Sequence, residues 1–285
     1  MDIARTLKMG AALIACSLSL NLVAKEQSHD RINYQDLFNL EYAANPVVMP
    51  DGKTVVYERR SMDIMTDSLR RNLWTVSLDG KTHMPMLSDS KNHFNPVFSP
   101  DGSKMAYLSS KDGKVQIYLR DLASGLTARV TDVQMSPSSM SFSPDGNQLA
   151  FSMFTPGKSK PLFSLGFKPK GAKWADSAQY IDDTLFQRDG AGMNRPGNMQ
   201  VYVVPSIGGT PRKVTPDGHD FSGTVAWSLD GKQLIVSANT RDDAEFDIFN
   251  SDLHAITLTT GEINKLTETS GPESNPHLSP NGKMV

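Results

Sequence analysis

Asn95-Pro-Val-Phe-Ser-Pro-Asp-Gly-Ser-Lys-Met-Ala-Tyr107 is the stretch on which the fold turns, because the chain repeats it. It is preceded by Asn45-Pro-Val-Val-Met-Pro-Asp-Gly-Lys-Thr-Val-Val-Tyr57. Looser copies follow as Ser139-Met-Ser-Phe-Ser-Pro-Asp-Gly-Asn-Gln-Leu-Ala-Phe151 and Thr224-Val-Ala-Trp-Ser-Leu-Asp-Gly-Lys-Gln-Leu-Ile-Val236. A fifth opens at Asn275-Pro-His-Leu-Ser-Pro-Asn-Gly-Lys-Met-Val285. Each copy reads as a β-hairpin in which a short apolar strand runs into Pro-Asp-Gly and a second apolar strand leaves it. Proline pre-sets one turn dihedral, aspartate bonds its own backbone, and glycine takes the positive φ that other residues resist.

Working outward, each hairpin is followed by a strand that ends in a turn. These are Leu73 to Gly80, Val115 to Gly125, Met199 to Gly209 and Leu253 to Gly261. Short closing segments come next: Ala128-Arg-Val-Thr131, Arg212-Lys-Val-Thr215 and Asn264-Lys-Leu-Thr267. The pattern gives four antiparallel strands per unit. The turn aspartates at 51, 101 and 145 set steps of 50 and 44 residues, the length of a propeller blade. The sequence therefore predicts an all-β fold, a β-propeller of four-stranded antiparallel blades that is incomplete, with four blades plus the start of a fifth. The fifth ends at Lys283-Met284-Val285, one or two residues into its second strand. So read, the chain is part of a larger protein, and its unpaired strand edges make it unstable alone.

The third unit breaks the spacing. From turn aspartate to closing threonine it runs from 145 to 215, against 101 to 131 in the second unit and 230 to 267 in the fourth. The surplus, at about residues 155–198, falls between the second and third strands, on the face opposite the Pro-Asp-Gly turns. Long insertions of this kind carry function or lack order.

The N-terminus is of another kind. Arg5 and Lys8 precede an apolar run from Met9 to Ala24, which Lys25 and Glu26 end. This is the layout of a secretory signal peptide over residues 1–24, too short and interrupted for a membrane span. Residues 25–44 then form a lead-in, and 45–285 the partial propeller. An exported protein, periplasmic or secreted, is the expectation. Leu13-Ile14-Ala15-Cys16 offers a lipoprotein box as the lesser alternative, and only lipidation of Cys16 would bring a membrane into play. Cys16 is the sole cysteine, so disulfides and thiolate metal sites are excluded.

A net charge of -2 with scattered Lys and Arg gives no basic stripe, which argues against a nucleic-acid partner. The chain has no G-x-S-x-G elbow, no phosphate-binding glycine loop and no H-E-x-x-H. No catalytic residue, metal ligand or cofactor is assigned. The six histidines read as surface or loop residues, and Trp74 and Trp227 as core. The Asp-Gly pairs lack the spacing of a calcium loop and read as turns. Within the insertion, Trp174, Tyr180, Phe186 and Arg188 collect aromatic and charged groups outside any blade strand. They either pack the insertion onto the propeller or wall a substrate chamber or domain interface.

Tyr34-Gln-Asp-Leu37 ahead of the first unit, the insertion from Pro169 through Trp174 and Tyr180 to Gly190, and Met199-Gln-Val-Tyr-Val-Val-Pro205 together resemble the prolyl oligopeptidase family of serine peptidases. The likeness is to its acylaminoacyl-peptidase and dipeptidyl-peptidase-like bacterial branch. The resemblance implies a propeller that gates short peptides into a C-terminal α/β-hydrolase domain holding a Ser-Asp-His triad. That domain is absent from this chain, so the chain alone is expected to be inactive. A second reading is a non-enzymatic periplasmic propeller that binds protein partners, similar to the Tol-associated one.

Overall fold

The computed structural model describes residues 32–158, 166–175 and 180–285, in two units, Met1–Leu40 and Glu41–Val285. In the first, Tyr34–Asn39 forms a 3-10 helix. Asn33 and Asp36 close its start as a capping box, each side chain accepting the other's backbone N–H. The predicted signal peptide, Cys16 included, lies outside the described residues.

The second unit holds four four-stranded antiparallel blades. Blade one is β1 (Glu41–Val48), β2 (Thr54–Asp63), β3 (Ser68–Ser77) and β4 (His83–Leu87). Blade two is β5 (His93–Phe98), β6 (Lys104–Ser109), β7 (Gln116–Asp121) and β8 (Thr127–Arg129). Blade three has β9 (Pro137–Phe142) and β10 (Gln148–Pro156), then a small hairpin of β11 (Gln187–Arg188) and β12 (Gly192–Met193), and finally β13 (Gly197–Pro205) and β14 (Arg212–Lys213). Blade four is β15 (Phe221–Trp227), β16 (Gln233–Ala238), β17 (Asp252–Thr257) and β18 (Ile263–Lys265). Within every blade, spatial order follows chain order.

The period-two alternation of the strands explains the stacking of blades. On β6, Met105 and Tyr107 join Val56 and Leu73 of blade one, while Ala106 and Leu108 join Leu149 and Phe151 of blade three. On β10 and β13 the other set, Ala150, Val201 and Val203, buries against Phe221, Leu234 and Val236 of blade four. β6, β10 and β13 are thus apolar on both faces, and the core is a series of inter-blade layers. Tyr107, Phe151 and Phe221 are fully buried, each worth about 1.5–3 kcal/mol relative to exposure.

The repeated Asn-Pro acquires a reason here. Asn45, Asn95 and Ser139 have φ of 48°, 53° and 47°, each in the first strand of a blade. The ladder shifts register across Ala44/Val47 and Phe94/Val97, so these residues form bulges in the left-handed conformation that asparagine tolerates. Blade four uses Gly223, φ 82°, for the same purpose.

The bulge is also where blades one and two are tied together. Glu58 on β2 is fully buried. Its Oε1 accepts Asn45 Nδ2 at 2.7 Å and the backbone N–H of Asn95 at 2.9 Å, and its Oε2 accepts Arg60 Nε at 2.9 Å.

The Pro-Asp-Gly turns interlock as well. A Cβ added to Gly102 would stand 2.8 Å from Pro50 Cβ, and one on Gly146 3.7 Å from Pro100 Cδ. One on Gly231 would meet Pro144 Cδ at 3.7 Å, and one on Gly282 would meet Leu229 Cδ1 at 2.6 Å. Each turn's glycine thus leans on the turn of the preceding blade. Gly102→Ala and Gly146→Ala both carry the left-handed backbone cost of about 1–2 kcal/mol, but only the first must also displace a proline. Thermal melts should therefore rank Gly102→Ala clearly below Gly146→Ala, and equal losses would remove the packing role given to Gly102.

Two sequence expectations change. Trp227 is core, but Trp74 is only half-buried and lies under Arg59, whose Cζ is 4.5 Å from the ring centroid. Position on a strand was a poor guide there, because β3 turns that face outward. His93 and His254 are buried rather than on the surface, since each stands on a strand whose neighbours cover it. His93 Nε2 meets Asp89 Oδ1 at 2.8 Å.

Candidate functional site

Antiparallel order puts the Pro-Asp-Gly turns and the third-to-fourth turns at one end of each blade. The second-to-third connections and the links between blades fall at the other. The two faces differ in chemistry.

On the turn face the aspartates are consumed by their own turns. Asp101 Oδ1 accepts Ser99 Oγ and the Ser103 N–H, and Oδ2 accepts Ser103 Oγ at 2.7 Å. Asp145 and Asp230 are held in the same way by Ser143 and Ser228. The hydrogen bond from Ser99, followed by those from Ser103, brings the Asp101 carboxyl down to about 2. A carboxyl that is depressed on folding stabilises above its unfolded value of about 3.9. That contribution is lost as pH falls through the folded value. Asn281 fills the same place in the fifth turn, so Asp101→Asn is a fair neutral substitute. The melting-temperature gap between parent and Asp101→Asn should be open at pH 6 and close towards pH 2. A gap that stays constant down to the acid end would sink the assignment.

On the other face the connection between β10 and β13 spans residues 157–196. Its neck is pinched by two glycines. Gly157 N donates to Pro196 O at 2.9 Å, and a Cβ on Gly197 (φ 136°) would lie 2.3 Å from Thr155 O and 2.8 Å from Gly157 N. Only a backbone without side chains lets the two strands come so close. Beyond the neck, β11 and β12 form a hairpin with Asp189-Gly190 at its tip. Asn194 ties it off by donating from its N–H to Phe186 O and from Nδ2 to Leu185 O.

The four residues singled out from sequence are all solvent-facing. Trp174, Tyr180 and Phe186 keep about half their surface exposed, and Arg188 is exposed on β11. Lys168 Nζ stands 5.7 Å from the Trp174 ring centroid. Among the described residues no hydrogen bond or ring contact joins the four to one another.

What the insertion does reach is blade four. Thr184 N donates to Glu245 Oε1 at 2.6 Å, and Thr184 Oγ1 donates to Glu245 O at 3.1 Å. Glu245 belongs to the connection between β16 and β17, residues 239–251. That connection is firmly held. Asn239 Nδ2 donates to Asp247 O, Asn250 Nδ2 to Asp247 Oδ2, and Phe246 N to Asp243 O, each at 2.8 Å. Yet Phe246 and Phe249 are 79% and 77% exposed. The sequence reading passed over these two residues. The signal available was Glu245-Phe-Asp-Ile-Phe249, an aromatic pair with neither strand alternation nor a turn signature.

Beneath this connection lie buried polar groups. In blades two and three the equivalent groups are Thr131 and Thr215, which accept the N–H of Ile117 and of Val201 on the third strand and donate to a neighbouring glutamine, Gln116 or Gln200. Blade four keeps the threonine, Thr267, but places the fully buried Asp252 where the glutamine stands. Lys265 Nζ lies 2.9 Å from Asp252 Oδ2 and Arg241 Nε 3.7 Å. His254 Nε2 is 3.2 Å from Thr240 Oγ1, and its Nδ1 meets the Asp252 carbonyl, not a carboxylate. Burial lowers the His254 pKa, which keeps the ring neutral. The arrangement ties the 239–251 connection and β18 to β17, and among the described residues no carboxylate oxygen bonds the His254 ring to orient it as a catalytic base.

Comparison with known proteins places these features. The family model described as PD40, TolB beta propeller domain, matches residues 65–285. The "Uncharacterized peptidase YuxL" of Bacillus subtilis (strain 168) is 26% identical over 209 residues, 73% of this chain and 31% of that protein. "Dipeptidyl-peptidase 5" of Porphyromonas gingivalis is 24% identical over 289 residues, 97% of this chain and 41% of that protein. Among solved structures, the uncomplexed Pyrococcus horikoshii acylaminoacyl peptidase superposes with a TM-score of 0.56 at 18% identity, over 81% of this chain and 33% of that one. The chain spans less than half the length of the curated relatives it matches.

Proposed function

This chain belongs to the TolB beta propeller domain family, and from that premise we propose that it is the substrate-gating propeller of an exported serine peptidase acting on short peptides. The catalytic α/β-hydrolase domain would lie outside this chain. The observation that carries the reading is the extent of the match: two peptidases align with it over 31% and 41% of their own length. The insertion at 157–196 supports it, because it rises from the face on which the chain enters and leaves each blade. A domain joined to the propeller is tethered to that face. Export rests on the signal-peptide pattern, and mass spectrometry of the mature product should find it beginning after Ala24.

The test uses the full-length gene product beside the 285-residue chain. The former should release fluorophore from aminoacyl or dipeptidyl substrates and stop when treated with a serine-directed reagent. The latter should stay at blank. Replacing 157–196 by a short turn should admit longer peptides without loss of activity on the short ones. Serine-reagent-sensitive hydrolysis by the chain alone, or its absence from the full-length product, overturns the proposal. In the second case the alternative is a propeller that binds protein partners without catalysis.

A further inference from the structure

The link between Thr184 and Glu245 makes one surface out of two connections. It ties Thr184, which Leu185 and Phe186 follow, to Glu245, which Phe246 follows, and all three apolar side chains are exposed. Ile248 and Phe249 extend the same apolar strip along the 239–251 connection. Apolar side chains this exposed, on two connections tied to each other, mark a site of interaction rather than ordinary surface. The backbone beneath them is fixed by the Asn239 and Asn250 hydrogen bonds, so little ordering entropy remains to be lost on contact. Aromatic rings held in this way are the usual anchors of binding energy.

The residues flanking the strip are mostly acidic. Asp182 and Asp183 precede Thr184, and Asp242 and Asp243 precede Glu245, all exposed. Arg188 is the one exposed cation within 180–190, and Arg241, only half-buried, is turned inward to Asp252. An apolar strip with an acidic rim attracts a segment in which apolar side chains are flanked by Lys or Arg.

We infer that this crest binds cationic, apolar peptide segments. Binding is a property of the propeller alone and involves no hydrolysis, so it stands or falls separately from the peptidase reading.

The test is fluorescence anisotropy with the purified chain and a labelled peptide that alternates lysine with leucine and phenylalanine. The control peptide carries glutamate in place of lysine. The cationic peptide should bind at least about tenfold more tightly than the control, and more weakly as salt is raised. The double variant Phe246→Ser/Phe249→Ser should lose about tenfold or more. Asp242→Asn/Asp243→Asn should lose the preference for lysine while keeping residual binding. All four side chains are exposed, so melting temperatures should match the parent and separate lost binding from lost fold. Equal binding of the two peptides, no binding of either, or unchanged binding by the serine variant overturns the inference. So does a dimer in sedimentation that dissolves in the serine variant, which would assign the crest to a second copy of the chain.

Discussion

Replacing Glu58 by leucine is expected to cost about 3 kcal/mol, even though leucine occupies the matching place, Leu108, in blade two. The carboxylate is fully buried and serves three donors at once: Asn45 Nδ2, the Asn95 N–H and the Arg60 guanidinium. Leucine leaves the Asn95 amide without an acceptor at the joint between two blades. It also strands Arg60, whose side chain is only 21% exposed and can turn partly to water. That escape keeps the expected loss at the lower end of the range for a broken buried pair. For a domain of this size the melting temperature should drop by about 6–12 °C. Glu58→Gln retains an acceptor oxygen for Asn95 and should cost roughly half as much. A leucine variant that melts with the parent, or a glutamine variant as poor as leucine, would show that the carboxylate does not tie the blades.

The second large effect is expected at the neck of the insertion. Gly197→Ala sets a Cβ against Thr155 O and the Gly157 N–H, both backbone atoms that cannot swing aside. Its φ of 136° is also one that alanine avoids. The cost should exceed about 3 kcal/mol, the sum of backbone strain and the forced parting of the strands. It should be felt first at the ends of β10 and β13, which pair without interruption from Gln148–Pro205 to Pro156–Gly197. Limited proteolysis should cut within 157–196 much faster than in the parent, and denaturant midpoints should fall. Gly157→Ala, whose nearest contact would be 3.1 Å, should be milder. Unchanged proteolysis in Gly197→Ala would mean that the neck is not closed in solution.

Much of the blade architecture was legible because turns are local. Pro-Asp-Gly prescribes dihedrals through the residues themselves, and each fixes where two strands meet. Glu58 was not legible. A carboxylate set between Tyr57 and Arg59 on a strand reads as solvent-facing until its partners, 13 and 37 residues away, are known. The asparagine of Asn-Pro was visible as a repeated letter, but its left-handed bulge appears only in the ladder register. Asp252 was hidden likewise, because its difference from Gln116 and Gln200 matters only once Lys265 and Arg241 stand beside it. The insertion announced itself by length, and four of its residues were rightly placed outside the blades. Phe246 and Phe249 were missed because the 239–251 connection, although longer than its counterparts in blades one and two, lengthens its unit far less than 157–196 lengthens the third.

The leaning of each turn glycine on the turn before it bears on how such a protein can grow. A blade carries half of a joint on either side, a proline offered forward and a glycine offered back. Blade two offers Pro100 and receives Pro50 through Gly102, so a tandem copy of it would meet its parent through a joint of the kind already present. Blade four offers Leu229 in place of proline, and a Cβ on the glycine of the fifth turn would meet it at 2.6 Å. Duplication can therefore multiply any blade without a new kind of joint, because every turn brings the glycine on which its neighbour rests.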